Sequence, residues 1–180
     1  MKTKKVFKMA PWDIWVKFST GLLILLFLYF LYLLGQSVLH LTHFGRELHP
    51  MDFTAAGIVG GVLLLLYVFS PRRYIVDAEQ LVIKRAVWSI SIPYNNILVI
   101  EATDNAGILW WWWVVLGNNG FTSYWGLFLG VGEGEMRWVR VYATNLKRMV
   151  RVKTADGKKT YYLSPADPEK FVVAIKEHLR

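Results

Sequence analysis

Three histidines and two carboxylates, Glu47 and Asp52, lie within residues 40–52 and are side chains that a metal ion could bind. Imidazole and carboxylate ligands suit a borderline divalent metal. His40 and His43 are three residues apart, so a helix would place them on one face. The spacing of His40, His43 and His49 matches no zinc-binding pattern. We therefore predict no metal site, and these three histidines remain the candidates if one exists.

Catalytic side chains are sparse in the rest of the chain. There is no cysteine, and His178 is the one histidine that follows the apolar runs. No Ser-His-Asp set is therefore available. The glycine-rich segment from Gly130 to Gly134 lacks the lysine and the following Ser or Thr of a phosphate-binding loop, and it carries Glu133. These features predict a protein that is not an enzyme and that holds no cofactor.

A basic cluster offers electrostatic rather than covalent chemistry. Six basic residues are opposed only by Asp156, and they are Lys147, Arg148, Arg151, Lys153, Lys158 and Lys159. Such a cluster would make one sheet edge positive and favour contact with anionic lipid headgroups. A charged face that meets only solvent is the alternative. No recognition helix or basic aromatic platform accompanies the cluster, so we predict no nucleic-acid partner.

Aromatic side chains supply the second candidate surface. Trp110, Trp111, Trp112 and Trp113 are consecutive, and Trp125 follows among glycines. Consecutive residues of a strand point to opposite faces, so two of these four rings would face away from the core. Each carries about 150–250 Å² of surface. We expect these tryptophans to be covered by a second copy of the chain; lipid or the chain's own helices are the alternatives.

The basic cluster and the tryptophans follow two uncharged runs of the sequence. Phe18 to Gly45 and Phe53 to Pro71 contain no Lys, Arg, Asp or Glu. About 20 apolar residues suffice to span a bilayer as a helix. The runs predict a transmembrane hairpin over 18–71, with spans at about 18–39 and 53–71. A cleavable signal peptide is the rival for the first run, but no small-x-small cleavage site follows it.

Positive charge flanks the predicted hairpin at both ends. Arg72 and Arg73 follow the second run, and five lysines precede the first, namely Lys2, Lys4, Lys5, Lys8 and Lys17. The positive-inside rule then places both termini in the cytoplasm, which predicts a multi-pass protein of the inner, cytoplasmic membrane. Residues 1–17 would form a basic cytoplasmic arm whose Trp12 and Trp15 lie at headgroup level. A topology signal without lipid contact is the alternative for this arm.

Small residues open the second run. Gly57 and Gly61 form a G-x-x-x-G pattern, reinforced by Ala56 and Gly60. Such spacing lets a second helix approach closely. The first run of the same chain is the nearest partner, and a homodimer is the alternative.

Beyond Pro71 the apolar period changes to two. Short alternating segments from Arg73 to Glu101 and from Met136 to Leu163 are separated by turn residues, which is typical of β-strands. Asp156-Gly157 indicates a tight hairpin. Asp167 is a suitable helix N-cap before Pro168, and the apolar stripe of the last residues predicts a C-terminal helix. Residues 72–180 therefore form a β domain capped by one helix.

Short segments of this domain resemble the bacterial pleckstrin-homology-like (PH-like) family. They are Tyr74-Ile75-Val76 with Leu81-Val82-Ile83, Ile92-Pro93 before Ile97, Tyr142-Ala143-Thr144-Asn145, and Leu163-Ser164-Pro165 with Asp167-Pro168 and Phe171. Members commonly carry a short membrane hairpin before one such domain. The resemblance implies an all-β sandwich or partly open barrel of about seven strands, capped by the C-terminal helix. The tryptophan segment departs from the family pattern.

The combined prediction is a membrane-anchored, non-enzymatic interaction or scaffolding module. Its expected partners are membrane lipids, a second copy of the chain and, alternatively, another membrane protein. In that alternative the chain is a regulatory or accessory subunit of a membrane enzyme or transporter.

Overall fold

The structure, a computed structural model, describes residues 4–44, 50–103, 113–132 and 135–179. Within these ranges the chain forms ten strands, three α-helices and one short 3-10 helix. The helices are α1 (Ile14–Phe44), α2 (Pro50–Phe69) and α3 (Pro168–Leu179), and the 3-10 turn is Tyr94–Asn96. The strands are β1 (Lys5–Lys8), β2 (Arg73–Val76), β3 (Gln80–Lys84), β4 (Ser89–Pro93), β5 (Ile97–Thr103), β6 (Trp113–Asn119), β7 (Tyr124–Gly132), β8 (Glu135–Ala143), β9 (Met149–Thr154) and β10 (Thr160–Leu163).

The first sheet contains β1, β2, β3 and β4 in that order, and every neighbouring pair is antiparallel. Its edge strand β1 comes from the segment before α1, with Lys8 opposite Arg73. Four residues of the segment 1–17, which was predicted as a basic cytoplasmic arm, therefore belong to the first sheet. The physical reason is that the Phe7 ring packs edge-on against Phe171, 5.1 Å away between centroids, while β1 pairs its backbone with β2.

The second sheet has the order β5-β9-β10-β8-β7-β6. Neighbouring strands are antiparallel except β10 and β8, which run parallel. The predicted hairpin at Asp156-Gly157 joins β9 to β10, and Gly157 takes a φ of +67° that glycine adopts readily. The described strands form two open sheets with no closed barrel.

The tryptophan-rich middle of the chain adds strands to the seven expected. Its described part forms β6 and β7, which place Gly117 directly opposite Gly126. Both residues have positive φ values, 148° and 125°, and a Cβ on either would collide with the backbone of the other strand. Glycine is therefore required where these two strands approach.

The main core lies between the two sheets and is closed by α3. Its largest fully buried side chains include Tyr74, Leu81 and Phe171. The Tyr74 hydroxyl donates to the Tyr142 carbonyl at 2.6 Å and accepts from the Ser164 N–H at 2.9 Å. Burial raises the pKa of Tyr74 well above its usual range. A polar group is tolerated at this depth because both of its hydrogen-bonding roles are satisfied.

A second cluster lies on the outer face of the second sheet. Val16 in the first turn of α1 is fully buried there, against a set that includes Tyr124, Phe128 and Met149. Burying a side chain of this size contributes about 1.5–3 kcal/mol. The first turn of α1 is therefore part of the domain rather than a free anchor.

The two long helices differ in how well they meet the length of a bilayer. Within the described residues, Ile14–Gln36 of α1 is long and apolar enough to span a membrane, whereas Gly57–Phe69 of α2 is a shorter apolar helix. The two helices pack together, and a Cβ built on Gly60 would lie 3.3 Å from the Phe27 ring. One membrane-spanning helix is thus clear by length and composition.

The C-terminal helix begins as predicted. The Lys170 N–H donates to Asp167 Oδ1 at 3.1 Å, which makes Asp167 the N-cap before Pro168. Phe171, Val172 and Ile175 are buried in the main core, whereas Leu179 at the end of the stripe is exposed.

Candidate membrane-interface site

Both long helices join the domain at one end, which we call the helix end. Because β1 pairs with β2, the start of α1 and the end of α2 emerge side by side. The turns β3–β4, β6–β7 and β8–β9 lie at the same end. The β9–β10 turn and the paired residues Gly132 and Glu135 of β7 and β8 lie at the opposite end, which we call the far end. The sheet topology therefore gives the domain one end that carries both long helices and an opposite end without them.

Asp13 fixes the first turn of α1 to the domain. Its Oδ1 accepts from the Val16 N–H at 2.9 Å and from the Tyr124 hydroxyl at 3.3 Å, and its Oδ2 accepts from the Leu146 N–H at 3.3 Å. The carboxylate is 9% exposed. Burial, reinforced by the Asp13 charge, raises the pKa of Tyr124 well above its usual range, so the phenol stays a donor. One carboxylate thus caps the helix and holds two segments of the second sheet.

The β6–β7 turn lies between the two helices. The Thr122 N–H donates to Thr20 Oγ1 of α1 at 2.8 Å, and the Thr122 hydroxyl lies 2.6 Å from Ser70 Oγ at the end of α2. Ser70 Oγ is also 2.8 Å from Ser123 Oγ. Thr122 has a φ of +61°, a left-handed conformation that costs a non-glycine residue about 1–3 kcal/mol. The hydrogen bonds to both helices hold the turn in this conformation.

Aromatic rings stack where α2 leaves the domain. The Phe69 ring lies 5.5 Å from Trp88 and 5.3 Å from Trp125, measured between centroids. The Arg85 guanidinium is 5.7 Å from the centre of Phe69, and Arg72 is 4.4 Å from the centre of Tyr67. Tryptophan and arginine at a helix terminus are typical of the level of lipid headgroups.

Arg72, Arg85 and Trp88 belong to a larger group of aromatic and basic residues at the helix end, which we call the collar. Its three tryptophans are all more than 40% exposed. The collar consists of Trp12, Trp15, Lys17, Arg72, Arg85, Trp88, Lys147 and Arg148.

The basic cluster of the sequence is divided between the two ends of the domain. Lys147 and Arg148 lie at the helix end, in the turn whose Leu146 N–H reaches Asp13. Arg151, midway along β9, forms a salt bridge with Glu101 on β5. The remaining members, Lys153, Lys158 and Lys159, lie at the far end. The six residues do not form one positive sheet edge, because β9 carries them from one end of the sheet to the other.

The tryptophan surface lies largely beyond the described residues. Trp110, Trp111 and Trp112 fall outside them, and Trp113 opens β6 without its side chain being described. Trp125 is half-buried against Phe69, and its indole Nε1 has no hydrogen-bond acceptor among the described atoms. Of the predicted aromatic set, Trp125 is the member that the structure places at the helix end.

The predicted metal candidates also fall beyond what the structure describes. His49 is outside the described residues, and His40 and His43 lie in α1 without described side chains. Among the described residues no three His, Asp or Glu side chains group closely enough to hold a metal ion.

The small residues of α2 divide into two faces. Gly60 approaches Phe27 of α1, whereas no described atom lies within 4 Å of a Cβ built on Gly57 or Gly61. The side chain of Ala56 is not described. Within the part of the two helices whose side chains are described, Gly57 and Gly61 therefore make no contact with α1.

Sequence reasoning did not identify Asp13, Ser70 or the Thr122 turn. The available signal was one polar residue beside each apolar run: Asp13 before the start of the first run and Ser70 near the end of the second. Their partners are distant in sequence, and local patterns do not reveal such pairings.

The fold defines a class of protein: a helix-capped β domain of two open sheets, joined to an apolar helix that can span a membrane. A family model described as the bacterial PH domain matches residues 72–179, more than half of the chain. The chain belongs to the bacterial PH domain family. Neither a curated protein nor a solved structure matches it.

Proposed function

We propose that this chain is a membrane-anchored, non-enzymatic PH-domain module whose collar rests on anionic lipid headgroups. The observation that carries this proposal is the pairing of β1 with β2, which brings α1 and α2 out of the domain side by side within the collar. PH domains are in general binding or scaffolding modules, and the present family match supports that class. The collar supplies the cations and interfacial aromatics that such contact requires.

The same pairing supports a helical hairpin with two membrane crossings. α1 leaves the helix end, and α2 must return to it because Arg73 lies opposite Lys8 in the sheet. Ile14–Gln36 is about 35 Å long at 1.5 Å per residue, and α2, with 20 residues, is about 30 Å long. Lys17, Arg72 and Arg73 at the helix end favour a cytoplasmic domain with both termini on that side.

Accessibility labelling tests this topology, because the chain contains no cysteine of its own. Ala155→Cys marks the far-end turn, and Leu48→Cys marks the segment between α1 and α2. In intact cells an impermeant maleimide should label Cys at position 48 and spare position 155. Labelling at 155 with protection at 48 would overturn the cytoplasmic assignment.

Lipid contact by the collar needs a separate measurement. Two exposed positions can carry a fluorophore at opposite ends of the domain. Ala86→Cys marks the helix end, in the β3–β4 turn near Trp88, and Ala155→Cys marks the far end. With bimane attached, the full chain in nanodiscs containing phosphatidylglycerol and headgroup-labelled quencher lipid should show quenching at 86 and none at 155. Equal quenching at both positions, or at neither, would contradict the collar proposal.

Self-association is the second part of the proposed function, supported by the open face of Gly57 and Gly61. Small residues with this spacing let helices from two copies approach closely. Gly57→Leu with Gly61→Leu should reduce the mass measured by light scattering in mild detergent, while Gly60→Leu would instead disturb Phe27 within the chain. A preparation that is monomeric before any substitution would contradict self-association.

The alternative function, an accessory subunit of a membrane enzyme or transporter, predicts a different result in the same detergent. A pull-down would then recover one stoichiometric foreign membrane protein rather than further copies of this chain. Recovery of the chain alone supports the scaffolding module.

A further inference from the structure

An open groove lies at the far end of the domain, on the opposite side from the collar. It has a volume of about 510 Å³ and is lined by Leu98, Trp138, Lys153, Thr154, Lys158 and Thr160. The β9–β10 hairpin forms its middle, and β5 and β8 contribute its apolar sides. The groove shares no residue with the collar.

Two large apolar side chains in this groove are turned toward solvent. Leu98 is 63% exposed and lies where the register between β5 and β9 shifts, between Ile97 and Val99. Trp138 on β8 is 52% exposed. Such register shifts redirect side chains and are frequent next to functional sites. Exposed Trp is also a residue type that concentrates at binding hot spots.

The charge around these apolar groups is positive. Lys153 and Lys158 line the groove, and Lys159 adjoins it in the same turn as Asp156. Asp156 is engaged within its own turn, where its Oδ1 accepts from the Lys158 N–H at 3.1 Å and from the Thr154 hydroxyl. A groove with two lysines beside an aromatic surface is complementary to carboxylates that alternate with apolar groups.

The position of the groove separates it from the membrane. β9 runs from Met149 near the collar to Thr154 at the groove, and five steps of about 3.3 Å give roughly 17 Å. That length is about twice the Debye length of roughly 8 Å at physiological salt. Headgroup charge around the collar is therefore largely screened at the groove.

We propose that this groove binds an acidic peptide segment of a protein partner, with an apolar side chain against Trp138 and carboxylates at Lys153 and Lys158. The proposal does not depend on collar–lipid contact, because the two sites lie at opposite ends of the domain. It assigns the two parts of the basic cluster to two different partners.

The test uses the full chain in nanodiscs of phosphatidylcholine alone, which present no net lipid charge. The probe is a fluorescein-labelled peptide of alternating glutamate and leucine, followed by fluorescence anisotropy. Saturable binding is expected, and Lys153→Gln with Lys158→Gln should weaken it by about tenfold or more. Lys147→Gln with Arg148→Gln removes the same charge from the helix end and should change affinity by less than about twofold.

A second pair of variants examines the aromatic contribution. Trp138→Ser should weaken binding severalfold, and Trp138→Phe should recover most of the affinity because it restores an apolar ring. A peptide of alternating glutamate and serine should bind more weakly than the leucine peptide. Circular dichroism of each variant verifies that the domain remains folded.

Four results would overturn the proposal. The first two are absence of saturable peptide binding, and an equal loss of peptide affinity in the groove and helix-end double variants. The third is equal affinity for the leucine and serine peptides, and the fourth is a groove double variant that instead loses contact with nanodiscs containing phosphatidylglycerol. The last result would make the groove a lipid site. Failure of collar quenching, by contrast, would leave peptide binding unchanged, so the two proposals fail separately.

Discussion

Replacing Asp13 by asparagine should weaken the attachment of α1 to the domain. Three donors converge on this carboxylate, from Val16, Tyr124 and Leu146. Asparagine retains one oxygen but places an NH₂ group where the second oxygen stood. In either orientation of the amide, at least one of the three donors then faces another donor.

The magnitude follows from the separate contributions. Asn and Asp are about equally good N-caps, so helix capping itself changes little. A donor left buried without an acceptor costs about 1–3 kcal/mol, and exchanging an ionised acceptor for a neutral one costs about 1 kcal/mol more. The expected loss in the free energy of unfolding is therefore about 2–4 kcal/mol.

Urea unfolding of the full chain in mild detergent, followed by tryptophan fluorescence, measures this loss. Asp167→Asn is the matched control, because Asp167 also caps a helix but accepts from the Lys170 N–H at an exposed position. It should cost less than about 0.5 kcal/mol. If Asp13→Asn costs no more than Asp167→Asn, the Asp13 carboxylate does not attach the helix to the domain.

Three further outcomes are expected in the same unfolding assay. Phe7→Ala should lower the free energy of unfolding by about 2–3 kcal/mol, because it removes the aromatic contact between β1 and Phe171. Val6→Ala, on the exposed side of the same strand, should lower it by less than about 0.5 kcal/mol. Similar losses for the two variants would place β1 outside the folded domain. Burial and the charge of Asp77 raise the pKa of Tyr94 from 10.0 to about 12. Its contribution to stability is therefore complete below pH 10 and is lost as the pH rises toward 12. Tyr94→Phe should make the alkaline loss of stability shallower, and an unchanged loss would contradict the raised pKa of Tyr94. Gly117→Ala should lower the free energy of unfolding by more than about 2 kcal/mol, because the added Cβ meets the backbone of β7. Gly157→Ala, with open space around its Cβ, should lower it by only about 1 kcal/mol. A reversed order would contradict the close approach of β6 and β7.

Local patterns predicted the elements whose partners are near in sequence. The β2–β3 hairpin, the Asp156-Gly157 turn and α3 with its Asp167 cap all lie where alternation, turn residues and capping indicated. These features depend on contacts within a few residues, so a short window contains the information.

The strand β1 could not be predicted in this way. It is four residues long, begins and ends with lysine, and lies before a long apolar helix. Two of its four residues carry the positive charge that also indicates membrane topology, so the same lysines favoured a cytoplasmic arm. Its pairing with β2 bridges the whole helical hairpin, and only the three-dimensional arrangement brings Phe7 to Phe171.

The basic cluster illustrates the opposite error, in which residues near in sequence are far apart in space. From Lys147 to Lys159 the chain passes along β9 and turns back into β10. A strand advances about 3.3 Å per residue, so charges at its two ends are separated by more than a Debye length. Treating them as one patch therefore overestimates the charge available to any single ligand.

The attachment of both helices decides how the domain is presented to its surroundings. Asp13 and the Thr122 turn connect the second sheet to α1, and Ser70 connects the same turn to α2, so neither helix joins the domain through a free linker. A hairpin held at both ends restricts rotation of the domain about either helix. With α1 across a bilayer, the collar must then remain near the headgroups while the groove beside Trp138 faces away from them. A single β domain would in this way present lipid-binding and peptide-binding surfaces at the same time, with the sheet between them as a spacer of nearly constant length.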